Sequence, residues 1–178
     1  MSRAAALVVV RPGATRCEML IHYEQNHVKW GSFSGKVEPQ DAGARDTALR
    51  EFEEEWRLAT GSTLPASTVT ALRSGIFHEF QVAPCKMACF VVVAPPALQE
   101  ATQSLVGSTL KWVAIDCIPR ASRFPLQMQA SHLKKQWSVL AGALGTGGQD
   151  DQNCNCTGTH HQTPGHPAAE ANPAAFPF

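Results

Sequence analysis

The chain has 178 residues, and its 15 Lys and Arg balance its 15 Asp and Glu. A balanced chain lacks the electrostatic footprint that strong nonspecific nucleic-acid binding requires. No apolar run approaches the roughly 20 residues of a membrane span, and the length suits one domain with a substantial core. The six cysteines form no recognisable disulfide framework: Cys85, Cys89 and Cys117 sit in or near apolar runs as small core residues, Cys17 begins a strand, and Cys154 and Cys156 lie near the C-terminus. A reducing compartment is expected. The first strand-like segment begins at Ala4, leaving no room for a cleaved leader. The expected location is therefore cytoplasmic, with nuclear as the other option.

Ala4–Arg11 and Cys17–Tyr23 are apolar runs around Pro12-Gly13-Ala14-Thr15, which predicts strand, turn and strand. Gln25 to Trp30 is a polar connection leading to Gly31-Ser32-Phe33-Ser34-Gly35. The following loop, Gly35 to Asp41, has a glycine that permits close backbone approach. It also has Pro39 to fix a turn and Asp41 as a candidate helix N-cap.

From Asp41 to about Leu58 the pattern is helical, because Ala48, Leu49, Phe52 and Trp56 form one apolar stripe. Within it, Arg50-Glu51-Phe52-Glu53-Glu54-Glu55 places Glu51, Glu54 and Glu55 at i, i+3 and i+4, one above another on a helix face. Unpaired, such acids repel by some tenths of a kcal/mol per pair. A hard divalent cation reverses that sign, since Mg²⁺ takes carboxylate and water oxygens together with substrate phosphates. The run reads as a metal platform, with Glu53 out of phase and solvated.

Further on, Thr60 to Thr68 reads as a loop and Val69 to Phe80 as one strand, bent at Gly75. Lys86 to Ala94 is a strand covered on both faces, ended by Pro95 and Pro96. Leu110–Ile115 is another strand, closed by Asp116-Cys117-Ile118-Pro119. Leu126 to about Leu144 is an amphipathic helix with Met128, Leu133, Trp137 and Leu140 near one face. From Gly145 the composition turns to Gly, Gln, Asn, Thr, His, Pro and Ala, which cannot bury enough surface to offset ordering entropy. Residues 145–178 are expected to be a disordered tail. Its Cys154, Cys156, His160, His161 and His166 lack the spacing of a standard zinc site.

Gly35 to Leu58 resembles the Nudix box, the loop–helix–loop signature of the Nudix hydrolases (G-x5-E-x7-R-E-U-x-E-E-x-G-U, U being aliphatic or aromatic). Arg50 to Glu55 matches its R-E-U-x-E-E core at every fixed position. Three departures flank the core. Asp41 stands for a glutamate, one extra residue lies within Ala42-Gly43-Ala44, and Arg57 replaces the late glycine, so the helix is expected to run on toward Gly61. Trp30 to Glu38 resembles the strand and loop that enter the box. The order of elements implies the family's α/β/α sandwich with a mixed β-sheet over residues 1–144.

The resemblance implies metal-dependent cleavage of the pyrophosphate bond in a nucleoside diphosphate linked to another moiety. Substrates of that class include nucleoside diphosphate sugars such as ADP-ribose, dinucleoside polyphosphates, oxidised nucleotides, NAD and capped RNA ends. Mg²⁺ or Mn²⁺ would be held by Glu51, Glu54, Glu55 and the Gly35 carbonyl, with Arg50 orienting the glutamates. Glu51 is the first choice for general base, and His78 and Glu79 are the candidates outside the box. Trp30, Phe33 and Phe77 are candidate stacking surfaces for a base, Tyr23 and His27 flank the entrance, and Glu38 is a candidate rim ligand. The expected partner is a small nucleotide, and no membrane is implied. The alternative is a Nudix-fold module that binds a nucleotide without cleaving it. Modules of that kind commonly lose the glutamates, which this chain retains.

Overall fold

In a computed structural model, the described residues are 2–13, 16–24, 26–103, 105, 109–120 and 122–145. The tail reading therefore lies outside them beyond Gly145. The two N-terminal apolar runs become strands β1 (Ala4–Pro12) and β2 (Cys17–Glu24), paired from Val10↔Met19 to Pro12↔Cys17. Past that register the same two facing edges are taken by the segment entering the box. β3 (Lys29–Gly31) pairs with β2 from His22↔Gly31, and β4 (Phe33–Lys36) pairs with β1 from Ala4↔Lys36 to Leu7↔Phe33. On the far edge of β1 runs β6 (Met87–Val93), parallel, followed by antiparallel β5 (His78–Val82), while β7 (Leu110–Ala114) lines the far edge of β2. The result is a seven-stranded mixed sheet.

The continuous apolar runs of β1 and β6 follow from their central, parallel position, where both faces are covered. Ala5, Leu7 and Val9 of β1 join Phe33, Leu49, Phe52, Trp56, Leu72 and Leu98 in one core cluster. Ala6, Val8 and Val10 join Leu126, Leu133 and Leu140 in the other. Helices α1 (Ala44–Thr60), α2 (Ala66–Arg73) and α3 (Pro96–Gln103) thus feed one face of the sheet, and α4 (Phe124–Ala143) feeds the other. This is the expected α/β/α sandwich. No helix among the described residues is long and apolar enough to cross a membrane.

Several local expectations change. Val69–Phe80 is not one strand: α2 occupies its first half and β5 begins at His78. Thr68 and Leu72, four residues apart, are both buried. The amides of Thr68 and Val69 donate to the Pro65 carbonyl, which starts a helical turn. Pro95 and Pro96 do end β6, but Pro96 also opens α3, where its missing N–H costs nothing. On α4, Met128 is exposed, and the buried stripe is Leu126, Leu133 and Leu140.

Helix α1 begins at Ala44, with Gly43 rather than Asp41 in the capping position. The helix thus starts past Asp41, whose side chain reaches Arg50 instead. At the other end, the chain with Arg57 in place of the box glycine continues to Thr60. Gly61 ends it in the left-handed region (φ 72°), donating to the Arg57 carbonyl at 2.8 Å. Only glycine takes this conformation without a Cβ penalty. Gly61→Ala should lower stability by about 1 kcal/mol, read from denaturant midpoints at unchanged slope. A neutral or stabilising result would refute this account of the helix end.

Candidate active site

The apolar stripe of α1 is buried against the sheet: Ala48, Leu49, Phe52 and Trp56 are all in the core. Phe52 meets Phe33 edge-on at 4.5 Å between ring centroids and lies 6.2 Å from Trp56. Seating this face turns Arg50 and Glu51 toward the loop that precedes the helix, and Glu55 toward β2 and β4.

Arg50 is the hub. Its Nε and Nη2 donate to Asp41 Oδ1 and Oδ2 at 2.9 and 3.1 Å, and Nη2 also donates to the Lys36 carbonyl at 3.1 Å. Its Nη1 donates to Glu51 Oε1 at 2.9 Å and to Glu54 Oε2 at 3.3 Å. One guanidinium therefore joins the loop to two of the acids. Asp41 additionally accepts from the Glu38 amide at 2.9 Å and from Thr47 Oγ1 at 2.7 Å. Asp41 thus ties the loop to Arg50 and to the first turn of α1.

The charges respond to this arrangement. The Arg50 fork, with the Glu38 amide and the Thr47 hydroxyl, holds the Asp41 carboxyl well below the usual carboxylate range, and Asp41 in turn raises the Arg50 pKa. A group depressed in this way contributes stability above its unfolded value and loses it as pH falls through its folded one. Acidification from about pH 4 to pH 2 should therefore destabilise the wild type more than Asp41→Asn. Thermal midpoints of the two proteins should converge over that range, and a gap that stays constant would argue against the role given to Asp41.

Glu51 lies against Gly35. A Cβ built on Gly35 would fall 2.0 Å from Glu51 Cδ and from Oε1, and 2.2 Å from Oε2, so the carboxylate occupies the space a side chain would need. Burial raises the Glu51 pKa, opposed by Arg50. Glu54 is 48% exposed. Glu55 is 18% exposed and accepts the Ser34 amide at 2.9 Å, with His22 Nε2 at 3.4 Å. Burial first, and then the negative charge of Glu24 and Glu51, push the Glu55 carboxyl up to about 8 against the Ser34 amide.

The sequence reading passed over three residues here. His22 and Glu24 follow Leu20 on the α1-facing side of β2, while Met19 and Ile21 point to the α4 side. His22 stacks on Phe33 at 4.9 Å, and its buried Nε2 has no hydrogen-bond partner among the described residues. Burial lowers its pKa. Glu24 accepts from Arg123 Nη1 at 2.7 Å. Strict alternation along Leu20-Ile21-His22-Tyr23-Glu24 was the available signal for the first two.

The other candidates fall elsewhere. Phe33 is 0% exposed, packed between His22 and Phe52, and presents no face to a base. Trp30 meets Tyr23 edge-on at 5.3 Å, with Lys111 Nζ 3.8 Å above its ring. Phe77 packs edge-on against Phe90 at 6.5 Å. His78 stacks toward His132 of α4 at 6.3 Å, and Glu79 is exposed on β5. Glu38 bonds to Gln40, and Asp116 pairs with Arg16 and Lys134. Cavities of about 410 and about 270 Å³ both reach Glu24; Glu51, Glu54, Trp30, Phe33, His78 and Glu79 line neither. Glu55, Tyr23 and His27 line the larger, and Gly35 and Lys36 the smaller.

This combination of sandwich, glycine loop and acid-bearing helix has a family. The NUDIX domain model matches residues 1–133, and the chain belongs to that family. Among solved structures it is similar to the Ap4A hydrolase of C. elegans, with 19% identity, 79% of this chain and 99% of that one covered, and a TM-score of 0.49. It is also similar to the NUDIX domain of Shewanella oneidensis NrtR complexed with ADP ribose (12% identity, 75% and 86% covered, TM-score 0.43). A third likeness is the MutT NUDIX hydrolase from Burkholderia pseudomallei (17% identity, 73% and 95% covered, TM-score 0.40). No curated protein matches the chain.

Proposed function

We propose that this chain is a divalent-metal-dependent hydrolase cleaving the pyrophosphate bond of a nucleoside diphosphate linked to another moiety. One observation carries the reading: α1 is seated so that Arg50 links the Gly35–Asp41 loop to Glu51 and Glu54, with the Glu51 carboxylate in the space over Gly35. Among the described residues no group of three or more His, Cys, Asp or Glu side chains is arranged to hold a metal ion. Arg50 holds Glu51 and Glu54, and the Ser34 amide holds Glu55. The donor chemistry nevertheless fits a hard cation, because every candidate donor is an oxygen. Glu51, Glu54, Glu55 and the Gly35 carbonyl would hold Mg²⁺ or Mn²⁺. Bound there, the ion supplies Lewis-acid chemistry toward diphosphate oxygens and water.

The chain's own residues carry the remaining roles. Arg50 sets the rotamers of Glu51 and Glu54 and ties them to the loop. Glu51, at the close approach to Gly35, is the preferred general base, with a carboxylate oxygen receiving the proton of the attacking water. The cavities that share Glu24 would accommodate the groups that the diphosphate joins.

The test is turnover of a panel with Mg²⁺ or Mn²⁺ and with chelator: ADP-ribose, dinucleoside polyphosphates, oxidised nucleotides, NAD and capped RNA. Metal-dependent release of two phosphate-bearing halves from at least one compound is expected. Nucleotide binding without cleavage of any of them would instead support a binding module.

A further inference from the structure

The two cavities beside the acids have Glu24 and Arg123 in common. Their walls otherwise differ, with Glu55, Leu58 and Thr109 in the larger and Gly35, Lys36 and Pro125 in the smaller. The Glu24–Arg123 ion pair is therefore the partition between them. Its two members are unequally buried: the Glu24 side chain is 11% exposed and that of Arg123 41%. The stem of Arg123 is fixed, because its backbone N–H donates to the Trp30 carbonyl at 2.9 Å just before α4. Its guanidinium is paired with Glu24 alone among the described residues, through Nη1. A guanidinium has five N–H donors, so most of this fork is uncommitted.

Arg50 cannot play the same part. Its donors are spent on Asp41, Glu51, Glu54 and the Lys36 carbonyl. A polyanionic substrate approaching Glu24, Glu51, Glu54 and Glu55 meets a strongly repulsive field and needs a cation with free donors. Arginine is suited to it, because its planar fork matches phosphate oxygens in pairs.

We propose that Arg123 is a diphosphate-binding residue of this site, held against Glu24 until the substrate's diphosphate displaces that carboxylate. Transfer of the guanidinium opens the partition, so a diphosphate held there has one cavity on each side for the two groups it joins. Glu24 keeps His27 Nε2 at 3.8 Å and His22 Nε2 at 4.0 Å as neighbours once Arg123 leaves. The substrate class rests on the hydrolase reading above, whereas the role of Arg123 in binding a diphosphate does not.

The experiment is isothermal titration of the full chain with methylenediphosphonate, an uncleavable diphosphate, in the presence of Mg²⁺. Wild type, Arg123→Ala, Arg123→Lys and Glu24→Gln are compared, with thermal unfolding of each to establish that it is folded. Arg123→Ala should weaken binding about tenfold or more, and Arg123→Lys should fall between it and the wild type, as loss of charge-assisted hydrogen bonds predicts. Glu24→Gln should tighten binding, because the internal competitor is gone. The opposite signs are the signature of a displaced ion pair. No binding by the wild type, unchanged binding in both Arg123 variants, or unchanged or weaker binding in Glu24→Gln would overturn the proposal. If Arg123→Ala fails to fold, Arg123→Lys carries the test. A chain that shows this pattern yet cleaves nothing loses the hydrolase reading and keeps Arg123, and one that cleaves nucleotides without the pattern loses Arg123 alone.

Discussion

Gly35→Ala should leave the protein folded and remove most of its hydrolytic activity. The added methyl would fall about 2 Å from the Glu51 carboxylate, inside any possible contact. The clashing atoms are the end of a flexible side chain, so Glu51 swings away rather than the backbone. Gly35 lies outside the positive-φ region, so alanine adds no backbone strain there. The stability change should stay within about 1 kcal/mol, and a small gain is as acceptable as a small loss. The carboxylate, however, cannot return to its place beside Arg50, and a displacement of about 1 Å in a catalytic group can cost on the order of a hundredfold in rate. Steady-state kinetics with denaturant unfolding on the same preparation separates the two quantities. Full activity in a folded Gly35→Ala protein would remove Glu51 from the proposed chemistry.

Phe52→Ala should have the largest effect on stability, a loss of about 3–5 kcal/mol. Phe52 is fully buried and lies between the rings of Phe33 and Trp56. Its removal opens a cavity under the middle turn of α1 that neighbours on a sheet cannot readily fill. Such a loss is a large share of the 5–15 kcal/mol that holds a typical domain together. Because Phe52 adjoins Glu51, the variant should also lose affinity for Mn²⁺ at temperatures where it is still folded. A loss below about 1 kcal/mol would mean that α1 is not seated as described.

Helix α1 could be read from the residues because two patterns coincide in it: an apolar stripe at helical spacing, and acids in a separate phase. Helix α2 could not, since Thr68, Val69 and Thr70 are β-branched and the adjoining Gly75 reads as a bend in a strand. Helix α3 was hidden by Pro95-Pro96, which ends a strand and starts a helix with the same two residues. Asp41 has the character of a cap in sequence, but α1 starts after Gly43 and the Asp41 carboxylate takes the Arg50 fork, a contact nine residues away that local preference does not specify.

The site divides in the same way. Glu51, Glu54 and Glu55 are close in sequence, so the period of one helix was enough to group them on α1, but not to show that Arg50 holds the first two and the Ser34 amide the third. Glu24 and Arg123 are 99 residues apart and meet only because β2 and the start of α4 are brought together by the sheet. Phe33 misled for a related reason. An aromatic residue between serines suits a ligand face or a core equally well, and the His22 and Phe52 rings that cover it lie on other elements.

The most direct measurement of the central claim is phosphorus-31 NMR of substrate turnover by wild type and Glu54→Gln, side by side, in Mg²⁺ or Mn²⁺. Glu54 is exposed at the rim of the site, so its amide variant should fold normally. Removing one charge that acts on the transition state should cost on the order of 10²–10³ in turnover number. The account predicts that pyrophosphate resonances give way to phosphomonoesters with wild type and persist with Glu54→Gln over the same interval. Equal turnover by the two proteins, or nucleotide bound by the wild type and never cleaved, would contradict it.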